Sequence, residues 1–294
     1  MVFAQSLDYS GRQMLQWMQI LGRFGWIGWR VNRWLLPPAA HPLGFVWEKD
    51  GQIVGNASLL EVRGFLGRWV LSNVAVHPEH RRRGIAKDLV RACIEFSRQK
   101  NGKSILLQVD HDHLGALELY RDFNFQSLTT RIAWVRRGRS RTPESTGIGL
   151  ARRRRPEEWR EQWELARRVH PEGLIWPYPV TRSLFRPRGL GILAGLESPR
   201  HWIWVEEGKM VGSLTARRSF ETGHWRLILV VESTARGNVE AGLLKIGLAD
   251  LNTDQTVHMD YPIGTNHVDL EAFGFRAERT LTWMALDLQT VRGL

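Results

Sequence analysis

The sequence predicts a mixed α/β sheet built twice along one chain. Three observations point there. Short apolar strands alternate with helices that carry one apolar face. A strand–turn–strand pattern near residue 50 returns near residue 205. A polar, turn-rich segment divides the 294 residues close to their middle. Strands that both precede and follow helices make a mixed α/β sheet. The length suits two domains of roughly 100–200 residues each.

The elements of the first half follow in order. Ser10–Leu21 reads as a helix with Met14, Met18 and Leu21 on one face. Phe45–Lys49, Gln52–Leu60 and Trp69–Val76 read as strands. Ile85–Arg98 puts Ile85, Leu89, Val90, Cys93 and Ile94 at helical spacing, and Asn101-Gly102 ends it. Ile105–Val109 is a buried strand, Leu114–Arg121 a short helix and Ser127–Val135 a last strand.

The second half repeats this pattern. Trp47, Gly51, Val54 and Gly55 fall on Trp204, Gly208, Val211 and Gly212 at an offset of 157, and each set reads as a β-hairpin with a glycine turn. Phe123-Asn124-Phe125 falls on Phe273-Gly274-Phe275, and Arg83-Gly84 falls on Arg236-Gly237. Three matches in one order indicate a duplicated domain. The segment from Arg136 to Gly147 reads as a linker by composition. The expected domains are therefore 1–140 and 148–294, joined at 141–147. Ile148–Ala151 reads as a strand. Pro156 then opens a helix with Trp159, Trp163, Ala166 and Val169 on one face.

Composition excludes several classes. One cysteine, Cys93, leaves no disulfide framework or thiolate zinc site and fits a reducing, cytoplasmic setting. No secretory signal is visible at the N-terminus, and the apolar stretch Met14–Leu36 is too broken by polar residues to span a membrane. The net charge is +11, from 41 basic and 30 acidic side chains, with the excess concentrated in residues 1–140. Such a balance suits either an anionic ligand or nucleic acid. The run Arg152–Arg155 has Glu157, Glu158, Glu161 and Glu164 close by, which favours a solvated charge run over a nucleic-acid grip.

The most informative segment is Asn73-Val-Ala-Val-His-Pro-Glu-His-Arg-Arg-Arg-Gly-Ile-Ala-Lys87. An apolar strand ends at Val76, Pro78 stops its ladder, and Gly84 opens a helix. A helix start presents unpaired N–H groups and the positive end of the dipole. Gly84 and the small Ala86 let a bulky anion approach the backbone, forming a nest for pyrophosphate. Arg81, Arg82, Arg83 and Lys87 add charge-assisted contacts.

This segment resembles the acetyl-CoA loop of the GNAT N-acetyltransferases, whose pattern is Val-x-Val-x-Pro, two residues, then Gln/Arg-x-x-Gly-x-Gly/Ala. Here it runs Val74-Ala-Val76, Pro78, Arg81-Arg-Arg-Gly84-Ile-Ala86. A second family motif, Asn-x-x-Ala-x-x-Leu-Tyr-x-x-x-Gly-Phe, resembles His113 through Ala116, Leu119 and Tyr120 to Asn124-Phe125, with His113 in place of Asn and Asn124 in place of Gly. The second half resembles the same fold with an eroded loop around Arg236-Gly237, and it lacks the Leu-Tyr pair.

The resemblance implies two tandem acyl-CoA N-acyltransferase domains, the first active and the second degenerate. It implies acetyl-CoA as co-substrate, held by Val74, Ala75, Val76, Arg81, Arg82, Arg83, Gly84, Ile85, Ala86, Lys87 and His113. Tyr120 is implied as the general acid, with no metal, and the acceptor as a small amine or a peptide amine. Without the motif, Tyr120 would read as core. The N–H near Val76 is the candidate oxyanion donor. Glu61, Asp110, His111 and Asp112 are candidates for the base, and the residues do not choose among them. Direct transfer in a ternary complex is expected. Trp17, Trp26, Trp29 and Trp34 with Arg23, Arg30 and Arg33 read either as an acceptor wall or as core. Two other readings stay open: a related tandem fold using an aminoacyl-tRNA donor, and a non-catalytic acyl-CoA or nucleic-acid binding module.

Overall fold

A computed structural model describes residues 43–62, 65–139, 151–170, 181–187, 198–219, 223–263 and 268–289. The helix expected at Ser10–Leu21, the Trp- and Arg-rich segment after it, the linker 141–147 and the start of the strand expected at Ile148 lie outside these residues. The chain divides into two compact units, residues 1–128 with 282–294 and residues 129–281.

The first unit is built from β1 (Leu43–Lys49), β2 (Gln52–Glu61), β3 (Arg68–Val76), α1 (Ile85–Gln99), β4 (Ser104–Asp110) and α2 (Leu114–Asp122). Each element lies within two residues of its sequence expectation, as helix and strand ends allow. The strand order is β1-β2-β3-β4, and the end of the chain's last strand lies next to β4. β1, β2 and β3 are antiparallel, and β3 and β4 are parallel. The apolar face of α1 packs Leu89, Val90 and Cys93 onto Leu71, Ile105 and Leu107. Met284, Leu286 and Leu288 from the chain's end complete this core.

The second unit contains β5 (Gln126–Arg136) from Thr129 onward, β6 (Ala151–Arg153), α3 (Trp159–Val169), α4 (Arg182–Phe185), β7 (Arg200–Glu206), β8 (Lys209–Arg218) and β9 (Trp225–Val231). α5 (Asn238–Leu251), β10 (Val257–Pro262) and the first part of β11 (Phe275–Asp287) follow. β5 pairs with β10, which runs parallel to β9. α5 packs Leu243, Leu244 and Leu248 against Trp202, Trp204 and Leu214. α3 covers the other face, where Leu165 and Ala166 meet Ile203, Met210, Ile228 and Val230.

The two hairpins that carried the repeat share their fine geometry. Trp47 pairs with Gly55 and Trp204 with Gly212, and in each ladder the register slips at the next residue. Asp50-Gly51 and Glu207-Gly208 both have positive φ at two successive residues, the two-residue turn that matches strand twist. A Cβ on Gly55 would sit 2.9 Å from Ile85, and one on Gly212 would sit 2.4 Å from Val239. Both glycines therefore let a helix start approach the second strand of the hairpin.

The compact units differ from the partition expected at 141–147. Residues 129–136 of β5 belong to the second unit, and the end of β11 from Thr282 belongs to the first. Composition marks where a chain turns polar. It does not mark which sheet a strand joins, because strand pairing is non-local. Arg136, read as the start of a polar linker, is 4% exposed and donates Nε to Phe273 O at 3.1 Å.

Candidate active site

In the first unit the site is a gap in the sheet. β3 and β4 are in register only over Arg68–Val70 and Ser104–Leu106, and beyond these residues they part. A bulge lies on the β3 side. Ser72 faces Ser58 and Ala75 faces Asn56, so Asn73 and Val74 together oppose Ala57. Asn73 has φ 53°, a left-handed value that asparagine tolerates. Its carbonyl accepts from Asn56 Nδ2 at 3.0 Å, which holds the bulge. The sequence reading missed both asparagines. The available signal was Asn73 itself, a left-handed-tolerant residue inside an apolar strand.

The bulge sets the direction of the next amides. His77 N donates to Val54 O at 2.8 Å. Successive N–H groups alternate in direction along an antiparallel ladder. The Val76 N–H therefore points to the other edge, into the gap. Val74 and Val76 pack their side chains on the core, so what they and Ala75 offer a ligand is backbone.

Beyond Val76 a single 3₁₀ turn, Pro78–His80, leads to the loop. Arg81 Nε donates to Val76 O at 3.1 Å, which ties the loop to the strand end. Arg82 at φ 60° and Gly84 at φ 82° are both left-handed, and such alternation turns successive N–H groups toward one point. Gly84 caps α1 with no side-chain hydrogen bond. A Cβ there would meet only Asp88 Oδ2, at 4.0 Å, so the approach to the helix start is open. Arg81, Arg82, Arg83 and Lys87 are exposed around it, and Ile85 is buried, contributing its amide alone. These residues fit a pyrophosphate: amides converge, no side chain fills the concavity, and the surrounding charge is basic.

Lys87 lies 3.3 Å from Asp122 Oδ2, so the last turn of α2 abuts the first turn of α1. Tyr120 sits on that turn, 7% exposed, with its ring edge-on to Phe125 at 5.7 Å. Burial, and then the nearby Cys93, push its phenol up to about 12, which keeps it protonated. His113 is the N-cap of α2, and its Nδ1 accepts from Ala116 N at 3.2 Å. That capping bond leaves Nε2–H as its outward donor. The base candidates separate. Glu61 pairs with Trp69, at the far end of β3 from Val76. Seven residues at ~3.3 Å each put it roughly 23 Å away along the strand. Asp110, His111 and Asp112 stand at the open end of β4. His111 Nδ1 lies 2.9 Å from Thr282 Oγ1.

The corresponding places in the second unit are built differently. β9 and β10 also pair only over Trp225–Leu227 and Val257–Met259 before parting. Gly237, at φ 115°, donates its N–H to Glu240, whose other oxygen accepts from Tyr261 OH at 2.6 Å. Glu240 is fully buried. The turn before the final strand keeps its hydrogen bonds, with Phe125 N to Tyr120 O and Phe275 N to Leu270 O both 3.1 Å. Leu270 thus stands where Tyr120 stands in the first unit. The basic run is paired internally: Arg152 with Glu158 at 2.6 Å and Arg153 with Asp250 at 2.6 Å, while Arg154 donates to Phe185 O at 2.7 Å.

The first unit thus holds a sheet opened between two parallel strands, with a glycine-led helix start at its mouth. Residues 14–125 match the model of the acetyltransferase (GNAT) family. N-acetyltransferase 8B of Rattus norvegicus is 33% identical over 85 residues, which are 28% of this chain and 38% of the relative. N-acetyltransferase 8 of Homo sapiens is likewise 33% identical over 85 residues, 28% of this chain and 37% of the relative. The chain thus spans less than two-fifths of the length of these relatives. Among solved structures, a GCN5-related N-acetyltransferase from Sphaerobacter thermophilus has a TM-score of 0.56 at 15% identity, over 81% of this chain and 78% of that one. A tandem GNAT protein from the clavulanic acid biosynthesis pathway has a TM-score of 0.50 at 15% identity, over 87% and 86%. Both share the fold. No helix among the described residues is long and apolar enough to cross a membrane.

Proposed function

We propose that the chain transfers the acetyl group of acetyl-CoA to an amine by direct attack in a ternary complex, with the chemistry confined to the first unit. The second unit is a degenerate copy. The carrying observation is that the gap beside Val76 and the open helix start at Gly84 lie at the two ends of one loop, 76–84. A cofactor with its pyrophosphate on the nest would run its pantetheine arm along Val74–Val76, with His113 Nε2–H on the opposite wall.

The chemistry follows from the groups at the gap. The amine nitrogen attacks the thioester carbon, the C–N bond forms and the C–S bond breaks. The Val76 N–H is aimed where the carbonyl oxygen gains charge, the position at which a fixed donor lowers the barrier most. Tyr120, held protonated, supplies a proton to the departing thiolate. The acceptor is a small amine or a peptide amine. The internal pairing of Arg152–Arg154 speaks against a nucleic-acid grip there. The test is a panel of amines, aminoglycosides and peptides with acetyl-CoA, read by thiol release. Release with one acceptor class supports the reading. Acetyl-CoA left unbound by a chain that holds tRNA at physiological salt overturns it in favour of an aminoacyl donor.

A further inference from the structure

We infer that His111 takes the proton from the acceptor amine and that Thr282, delivered by the last strand, is its positioning residue. This rests on the acetyl-transfer reading and names a group that the sequence left open. The first support is register. Val70 is level with Leu106. Counting forward along both strands, with one residue absorbed by the bulge at Asn73–Val74, Val76 draws level with His111. By this count the His111 backbone, one residue beyond the end of β4, is level with the amide assigned to the thioester oxygen.

The second support is anchoring. Thr282 is 4% exposed and held in a strand, and its Oγ1 is 2.9 Å from His111 Nδ1. His111 itself is exposed, so a fixed hydroxyl gives an otherwise mobile ring one orientation. With Nδ1 engaged, Nε2 is the nitrogen left for proton transfer. A threonine hydroxyl both donates and accepts. For Nε2 to be the basic nitrogen, Nδ1 carries the hydrogen and donates it to the Oγ1 lone pair, and that bond persists once Nε2 has gained its proton. The proton balance closes: the amine proton passes to Nε2, the C–S electron pair leaves on sulfur, and the Tyr120 proton converts thiolate to thiol. Solvent then takes the proton from His111 and another returns one to Tyr120.

The experiment uses the full chain with acetyl-CoA and its best acceptor, comparing Thr282→Val, Thr282→Ser and His111→Gln. Expected are a loss in kcat of about tenfold for Thr282→Val and about a hundredfold for His111→Gln, the lower range for general base catalysis. The KM for acetyl-CoA should stay unchanged, and Thr282→Ser should restore kcat to within about twofold, since it keeps the hydroxyl. In the His111→Gln background, Thr282→Val should cost nothing further. Wild-type kcat in folded Thr282→Val, or losses that multiply in the double variant, overturns the positioning role. If Thr282→Val does not fold, His111→Gln with wild-type kcat overturns the proposal alone. A wild-type chain that turns over no acceptor overturns the acetyl-transfer reading and this role with it.

Discussion

The third residue of α1 is Lys87, and the third residue of α5 is Glu240. Both follow a left-handed glycine, Gly84 or Gly237, at the mouth of a gap between parallel strands. Lys87 is 49% exposed and leans on Asp122, so the concavity at its helix start stays open. Glu240 is buried, and its carboxylate takes the Gly237 N–H and the Tyr261 hydroxyl. A carboxylate on a helix-start amide does what a phosphate would do there. The start of α5 is thus capped by its own chain, and Leu270 stands where the first unit has Tyr120. One architecture can therefore leave its helix start open or cap it, and the difference lies in a handful of side chains.

The comparison is most exposed to breakage at the two glycines. Gly84→Asp should abolish acetyl-CoA binding, because φ 82° strains any side chain and the new charge opposes the pyrophosphate. Gly237→Asp should leave it unchanged. Calorimetry should find one acetyl-CoA per chain, and two equal sites would break the distinction. The next largest effect belongs to Tyr120→Phe, with turnover falling roughly ten- to a few hundred-fold at nearly constant acetyl-CoA affinity. Unchanged turnover per folded molecule would return Tyr120 to a packing role.

Acidification should separate the units thermodynamically. His170 and His201, both in the second unit, are held down to about 3, first by burial and then by nearby arginines. The unfolded chain then binds protons that the folded chain refuses between about pH 6.5 and 3. Stability falls as pH falls through that window. Each histidine costs about 2 kcal/mol between pH 6.5 and 5. Hydrogen exchange should show amides of 200–231 opening before those of 85–110. The smallest effect is Lys87→Ala. The exposed pair with Asp122 is worth about 0–1 kcal/mol, so Tm should barely move. Acetyl-CoA affinity should weaken several-fold, with a shallower salt dependence.

The sequence made legible what is set by local backbone needs. Gly84, the proline after Val76 and the Asp50-Gly51 and Glu207-Gly208 turns each announce a conformation that few residues adopt. For β1 to β5 and the two helices among them, strand and helix limits followed within two residues for the same reason. What depends on distant partners was not readable. Asp122 meets Lys87 from 35 residues away, and Thr282 meets His111 from 171 away. Glu240 three residues after Gly237 has the spacing of an ordinary surface capping box. Only Tyr261, on another strand, shows that this one is interior. Glu61 looked equivalent to His111 as a base because strand ends in a sequence do not say which end of the sheet they occupy.

The exchange of final strands carries a consequence for how the protein is made. Met284, Leu286 and Leu288 are all buried side chains of the first unit's core. During synthesis, β1 to α2 leave the ribosome long before these residues do, and until then one edge of β4 has no neighbour and the core beneath it is incomplete. The half that carries the Gly84 loop therefore finishes folding last although it is translated first. A ribosome that stalls within the second half releases a chain whose Gly84 loop is written in full but whose supporting core is missing three side chains.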